Sequence, residues 1–431
     1  MTADAIAGSA VLDGLLAYID ASPSPFHAAE SASDRLAGAG FVETQPDQSI
    51  PDGAMVTRRG GSVVAVRSGQ ITDIEALEFR LVGAHTDSPN LRIKPQPDTG
   101  AVGYRQLGVE VYGGVLLNSW LDRDLGLSGR VAISDADGER VVLVRIDEPL
   151  LRVAQLAIHL DRDVNEGLKL DRQAHLAPIW SHGEVEEDGF GEFVASHLGV
   201  TRDAVVAWDL MTHDLTPSTR MGRDGEFYAA PRIDNLASCH AALEALIALD
   251  EPPANVVAAV VLFDHEEIGS DSSTGAGSPL VGNTLERVAA SLGVDRDGYL
   301  RAIERSWCVS ADGAHAVHPN YIDRHEPQHR VALNDGPVIK LNANVRYASD
   351  ADTSMRFQAA CRAAGVPWQQ YSHRTNLACG STIGPITAAG LGIRVVDVGS
   401  AQLSMHSARE MAGSADPAHL TAALGAFLAG A

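Results

Sequence analysis

The sequence predicts an α/β fold: a mostly parallel sheet with helices on both faces, interrupted by a smaller β-rich inserted domain. Three observations carry that expectation. Helical and strand patterns alternate towards both ends of the chain, the order that lays strands side by side beneath helices. Val256–Phe263 is a run of apolar residues without a polar interruption, as a parallel strand buried on both faces requires. Between about Gln96 and Tyr228 the pattern changes to short alternating runs separated by turn residues, the mark of antiparallel β-structure.

The elements follow in order. Val11, Leu12, Leu15, Leu16 and Ile19 recur at helical spacing. A second helix is expected after Ser24-Pro25, with Pro25 in the first turn, where its missing N–H leaves no bond unmade. Strands are expected at Ser62–Arg67 and Phe79–Ala84. Arg130–Ser134 and Arg140–Ile146 flank Asp135-Ala136-Asp137-Gly138 and read as a hairpin. Beyond Asn235, Leu236–Leu249 reads as helix, Val256–Phe263, Trp307–Val309 and Ile393–Val398 read as strands, and a last helix starts near Asp416-Pro417. The chain is therefore expected as one α/β domain in two parts, 1–95 and 230–431, split by an insertion over 96–229. Its length exceeds what one compact core usually supports.

Composition narrows the function classes. The 431 residues carry 33 Lys plus Arg against 56 Asp plus Glu, a formal charge of 33 − 56 = −23. That excess repels a phosphate backbone, so neither nucleic acid nor an anionic membrane surface is an expected partner. No apolar stretch approaches the ~20 residues of a membrane span, and Met1–Ala10 lacks the basic-then-apolar pattern of a secretory signal. Cys239, Cys308, Cys361 and Cys379 form no CxxC pair, which argues against a thiolate metal site and points to a reducing cytoplasm. Lysine occurs only as Lys94, Lys169 and Lys340.

The polar residues beyond the strands carry the chemistry. Phe79–Ala84 runs into His85-Thr86-Asp87 and Val256–Phe263 into Asp264-His265-Glu266-Glu267. Trp307–Val309 leads to Asp312, and Ile393–Val398, after a short loop, to His406. Asp234 stands just before the helix at Leu236. Ligands bind beyond the carboxyl ends of strands in open α/β sheets, so these side chains are expected to converge. Singly, Asp234 could cap its helix and either histidine could be a satisfied core or surface residue. As a set, two histidines and three carboxylates without a thiolate suit a pair of zinc, manganese or cobalt ions. Five side chains shared between two ions need one bridging carboxylate and leave positions open for water and substrate. Two acids remain. Asp87 is placed to orient the His85 imidazole. One of Glu266 and Glu267 ligates while its neighbour serves as general base, and spacing alone leaves open which.

Seven segments, in order along the chain, resemble the aspartyl aminopeptidase family, metallopeptidase family eighteen. They are His85-Thr86-Asp87-Ser88-Pro89, Pro231-Arg232-Ile233-Asp234-Asn235, Asp264 to Ser270, Asp312 to Asn320, Lys340 to Ala348, Gly380 to Pro385, and Met405 to Glu410. The resemblance implies that His85, Asp234, Glu267, Asp312 and His406 hold two zinc ions, with Asp234 bridging. It makes Glu266 the general base and Asp87 the residue that orients His85. His315 and Lys340 match positions facing substrate or the tetrahedral intermediate. Leu156-Ala157-Ile158-His159-Leu160 resembles a segment of the inserted domain whose histidine reaches a neighbouring subunit's active site. His159, by itself an ordinary strand histidine, would then contact substrate or lie near a metal. The family also assembles as a roughly tetrahedral dodecamer, with the insertion as its oligomerisation domain. Val345 departs from the family, which often has glutamine there. The Gly380–Pro385 loop either offers N–H groups to substrate or is a tight turn before a helix.

The expected function is a cytoplasmic dinuclear zinc aminopeptidase that removes an acidic, or alternatively a neutral, N-terminal residue from peptides. Cobalt or manganese could substitute for zinc. Lys340, Arg346 and Arg374 are the candidate cations for an acidic preference. The alternatives are another two-metal amidohydrolase, such as a deacylase or carboxypeptidase, and a silent assembly protein stabilised by zinc. A base at Glu266 beside intact ligands argues against the last.

Overall fold

Asp87 and Ser88 mark a division in the chain. In the computed structural model, which describes the backbone of residues 3–431 and the side chains from Gly8 onward, one unit comprises the chain up to Asp87 with Ser218–Met405 and Glu410–Ala431. The other comprises Ser88–Pro217 and His406–Arg409. The strand Asn90–Ala101 runs unbroken through positions 95 and 96, and the strand Phe227–Ala230 pairs with Glu410–Gly413 inside the first unit.

The first unit is built on a nine-stranded sheet. Its centre is four parallel strands in the order Val256–Phe263, Glu78–His85, Trp307–Ala311, Arg394–Gly399. Ser62–Ser68 pairs antiparallel with Val256–Phe263 on one side, and Val338–Leu341 pairs antiparallel with Arg394–Gly399 on the other. Parallel pairs Val42–Thr44 with Ala54–Arg59, and Val338–Leu341 with Gln369–Ser372, finish the edges. The fold is thus the expected α/β class, with a sheet that is parallel where it is most buried.

Strand periodicity explains why helices cover both faces. Val82, Ala84, Val260 and Leu262 pack into one core with the helices Ala3–Ala21, Pro25–Gly38, Ile233–Ile247, Ala351–Ala364 and Asp416–Leu428. Their neighbours Leu81, Val257, Ala259 and Val261 pack into a second core with Leu280–Ser291, Arg296–Arg305 and Ile383–Leu391. Alternate side chains leave a strand on opposite faces, so an all-apolar strand fills two cores at once.

Local signals behave as expected. Ser24 caps Pro25–Gly38 by accepting from the His27 N–H at 3.4 Å, and Pro417 sits in the first turn of the last helix. The helix Ile233–Ile247 has non-helical backbone at Asp234 and Asn235, after Arg232 at φ 57°. Its regular part therefore begins at Leu236. A five-stranded sheet that includes Phe227–Ala230, Glu410–Gly413 and Ala314–His315 completes this unit.

The second unit is a six-stranded antiparallel sheet. Leu125–Asp135 and Gly138–Leu151 form the expected hairpin, closed by Arg140 donating to both carboxylate oxygens of Asp135 at 2.7 and 2.8 Å. One helix, Gly189–Leu198, lays Phe190, Val194 and Ala195 on the sheet's core, with Phe190 edge-on to Trp180 and Trp208. No helix among the described residues is long and apolar enough to cross a membrane.

Candidate metal centre

Three adjacent parallel strands end at the same level. Phe263 pairs with His85, and Ser310 with Gly83, so the residues that follow each strand emerge together at the carboxyl edge. Asp234 joins them from the kinked start of its helix. The His85 Nε2 lies 3.4 Å from an Asp234 oxygen, 3.4 Å from an Asp312 oxygen and 3.9 Å from Glu266 Oε2. Ligand atoms of His85, Asp234 and Asp312, and those of His85, Glu266 and Glu267, form groups lying within 4.8 Å of one another. His85, Asp234 and Asp312 are buried, and Glu266 and Glu267 are half-buried.

So many carboxylates around one imidazole perturb its titration. Burial opposes charging His85, but the acidic partners Asp234, Asp312 and Asp87 outweigh it and hold the imidazole well above its ordinary range. Burial is also the main cause that pushes Glu266 up to about 8, reinforced by the charges of Asp312, Asp87 and Asp234 and relieved by His85. A cluster that strains to hold protons is one that a divalent cation relieves. The donors, imidazole nitrogen and carboxylate oxygens, fit zinc, with manganese or cobalt as alternatives.

Asp87 does more than its spacing suggests. The His85 Nδ1 sits 3.0 Å from the Asp87 carbonyl and 3.4 Å from its carboxylate. That carboxylate also accepts the Glu266 N–H at 3.0 Å on one oxygen and the Glu267 N–H at 3.1 Å on the other. One buried side chain thus sets both the imidazole and the turn that presents two adjacent glutamates.

The sequence over residues 18–428 matches the family described as Aminopeptidase I zinc metalloprotease (M18). The chain belongs to the M18 aminopeptidase family. It is 49% identical over 425 residues to a probable M18 family aminopeptidase 2 of Streptomyces coelicolor, covering 96% of this chain and 97% of that protein. Among solved structures, the Ape4 of an Ape4–Nbr1 complex matches with a TM-score of 0.93 at 33% identity, covering 99% of this chain and 86% of that one. The S. cerevisiae mApe1 dodecamer matches with a TM-score of 0.84 at 26% identity, covering 97% of this chain and 96% of that one. This M18 chain is accordingly a zinc metallo-aminopeptidase, a hydrolase of peptide bonds.

The other expected site residues fall in different settings. Lys340 is 2% exposed and its ammonium donates to the carbonyls of Asp312 and Gly313 at 3.2 and 3.1 Å, 3.6 Å from the Asp312 carboxylate. It therefore braces the Asp312 turn. His315 lies exposed on the short strand Ala314–His315, its ring 6.2 Å from that of Tyr371. His159 lies in an exposed turn rather than a strand, between exposed Ile158 and Leu160. His406 belongs to the second unit, at φ 68°, with Nδ1 3.0 Å from the Gly114 carbonyl. Arg346 and Arg374 are exposed or half-buried loop residues.

Two supports were not singled out from the sequence. Glu410, 2% exposed, accepts the Asp234 backbone N–H at 2.9 Å. The Cys239 thiol donates to the His85 carbonyl at 3.0 Å, and burial pushes that thiol up to about 12, so it stays a donor. Glu410 lies inside a family-like segment, and its acid among apolar strand residues was the available signal. Cys239 offered none.

Proposed function

We propose that this aminopeptidase uses two zinc ions to remove single N-terminal residues from peptides, with an acidic residue, Asp or Glu, preferred over a neutral one. His85, Asp234, Glu267, Asp312 and His406 would hold the ions in this reading. Bound zinc would polarise the scissile carbonyl and ease deprotonation of water. Glu266 takes the proton of the attacking water and returns it to the leaving amine. Asp87 keeps Glu266 pointed at that water and His85 in its ligating tautomer. His315, or a neighbouring subunit's His159, hydrogen-bonds the developing oxyanion.

The observation that carries the reading is the His85 imidazole set 3.4 Å from both Asp234 and Asp312, with Asp87 steering the adjacent glutamate pair. Glu266→Gln should retain two zinc equivalents by mass spectrometry and lose turnover of aminoacyl anilides. Retained turnover would remove Glu266 as base. A panel comparing Asp and Glu with Leu anilides decides the residue preference, with Arg346 and Arg374 as the cations left to meet an acidic side chain. The dodecamer of mApe1 supports a homododecamer here, built by the second unit, which sedimentation would reveal. Cysteines without a disulfide and the acidic surface support a cytoplasmic enzyme acting on peptides rather than on nucleic acid or membranes.

A further inference from the structure

A cleft of about 550 Å³ lies on the first unit's second core, away from the metal cluster. The helices Leu280–Ser291, Arg296–Arg305 and Ile383–Leu391 frame it, and its walls include Phe263, Val281, Tyr299, Ile303, Ile386 and Leu391. Its size falls in the range of small-molecule sites, ~300–1,000 Å³. Three features define what it would accept.

The first is charge. Glu286 and Arg296 line the cleft as an ion pair, 38% and 61% exposed. The lining is otherwise uncharged, so a ligand with net charge would strand one partner. A zwitterion replaces one exposed, weakly held pair by two matched ones. The second is shape. The rings of Phe263 and Tyr299, both buried, offer edges and faces to another ring. The third is a polar gap. Thr387 lines the cleft, is 5% exposed, and its hydroxyl has no hydrogen-bond partner. A buried hydroxyl left unpaired is costly, and a ligand that completes it recovers that cost.

We propose that this cleft binds a free aromatic amino acid with a hydrogen-bonding side chain, of which tyrosine is the simplest. The ammonium faces Glu286, the carboxylate Arg296, and the phenol the Thr387 hydroxyl. An aminopeptidase releases free amino acids, so such a ligand arises wherever the enzyme works. Phe263 ends the strand that leads into Glu266 and Glu267, and Ala276 to Ser278 close the loop after them. The cleft wall is thus joined through the chain, on both sides, to the loop that carries the proposed base.

The test is equilibrium dialysis of labelled L-tyrosine against the full-length zinc enzyme, its active site saturated with an amino-acid hydroxamate. One equivalent per chain is expected. Gly390 lines the cleft, and a Cβ there meets nothing within 4 Å, so Gly390→Phe fills the space without straining the helix and should abolish binding. Thr387→Val and Arg296→Ala should each weaken it by roughly tenfold, the loss of one good hydrogen bond or charge contact. Tyramine and N-acetyltyrosine, which lack one ligand charge, should weaken similarly. No binding, or binding indifferent to both Gly390→Phe and Thr387→Val, overturns the site. Tyramine binding as tightly as tyrosine overturns the zwitterion.

Discussion

Replacing Lys340 by methionine separates two roles for a lysine that touches Asp312 in the candidate metal centre. Methionine nearly matches the lysine stem in length and volume, so packing is kept and a cavity is not the issue. What is lost is a 2%-exposed ammonium, two hydrogen bonds to the Asp312 and Gly313 carbonyls, and the charge 3.6 Å from the Asp312 carboxylate. Hydrogen bonds from a charged donor are worth about 1.5–3 kcal/mol each. Breaking a buried pair by removing one partner costs about 3–5 kcal/mol, and the two figures agree. At the low end of the usual conversion, the apparent Tm should fall by roughly 6–10 °C. Differential scanning fluorimetry with and without added zinc is the assay. The loss should shrink with zinc, because a cation at Asp312 takes over part of the work of the missing ammonium. A Tm within about 2 °C of wild type in both conditions, with a raised KM for acidic substrates instead, would refute the bracing role and return Lys340 to the substrate pocket.

Asp87→Ala removes the acceptor of two glutamate N–H groups and the partner of His85. Loss of such an outer support typically costs 10–100-fold in metal affinity or activity, so kcat should fall by about that factor with the fold intact by circular dichroism. Glu410→Leu leaves the Asp234 N–H unpaired, and competition with a chromophoric chelator should show zinc affinity reduced over a similar, roughly 10–100-fold range. An unchanged affinity would mean that this bond does not hold Asp234. The third concerns pH. Burial, chiefly, drives His240 down to about 4, so between pH ~6.5 and 4 the unfolded chain binds a proton that the folded one does not. Stability is therefore full above that window and lost as pH falls through it, by about 3 kcal/mol at its lower end. His240→Gln should flatten the slope of unfolding free energy in that window, and parallel curves for the two proteins would rule the attribution out.

The gross plan was readable because it rests on local patterns. Val256–Phe263 announces a doubly buried strand, Ser24-Pro25 a helix start, and the abrupt change from apolar to polar after Phe263 the edge where the titratable side chains gather. His85, Glu266 and Asp312 meet because parallel strands in register end together, a rule that sequence order already contains. The supports resisted for the opposite reason. Glu410 meets Asp234 across 176 positions and Asp87 meets Glu266 across 179, and nothing local encodes such partners. Lys340 shows the same limit. A lone lysine in a motif looks like a substrate cation, and only the depth of its strand turns it towards two carbonyls. The kink at Asp234 was equally silent, since a helix pattern starting at Leu236 says nothing of how the chain enters it.

The two-core strand has a consequence for how this protein can change. Successive residues of Glu78–His85 belong alternately to two oily compartments, and His85 is its last residue. Deleting one residue from that strand would exchange Val82 and Ala84 with Phe79 and Leu81 and turn the imidazole half a revolution from Asp234 and Asp312. Deleting two would restore the parity but withdraw the imidazole by about 6.6 Å. Neither step leaves a working intermediate. A change in length is better borne by the connecting loops, because parity and reach together fix the strand's residue count.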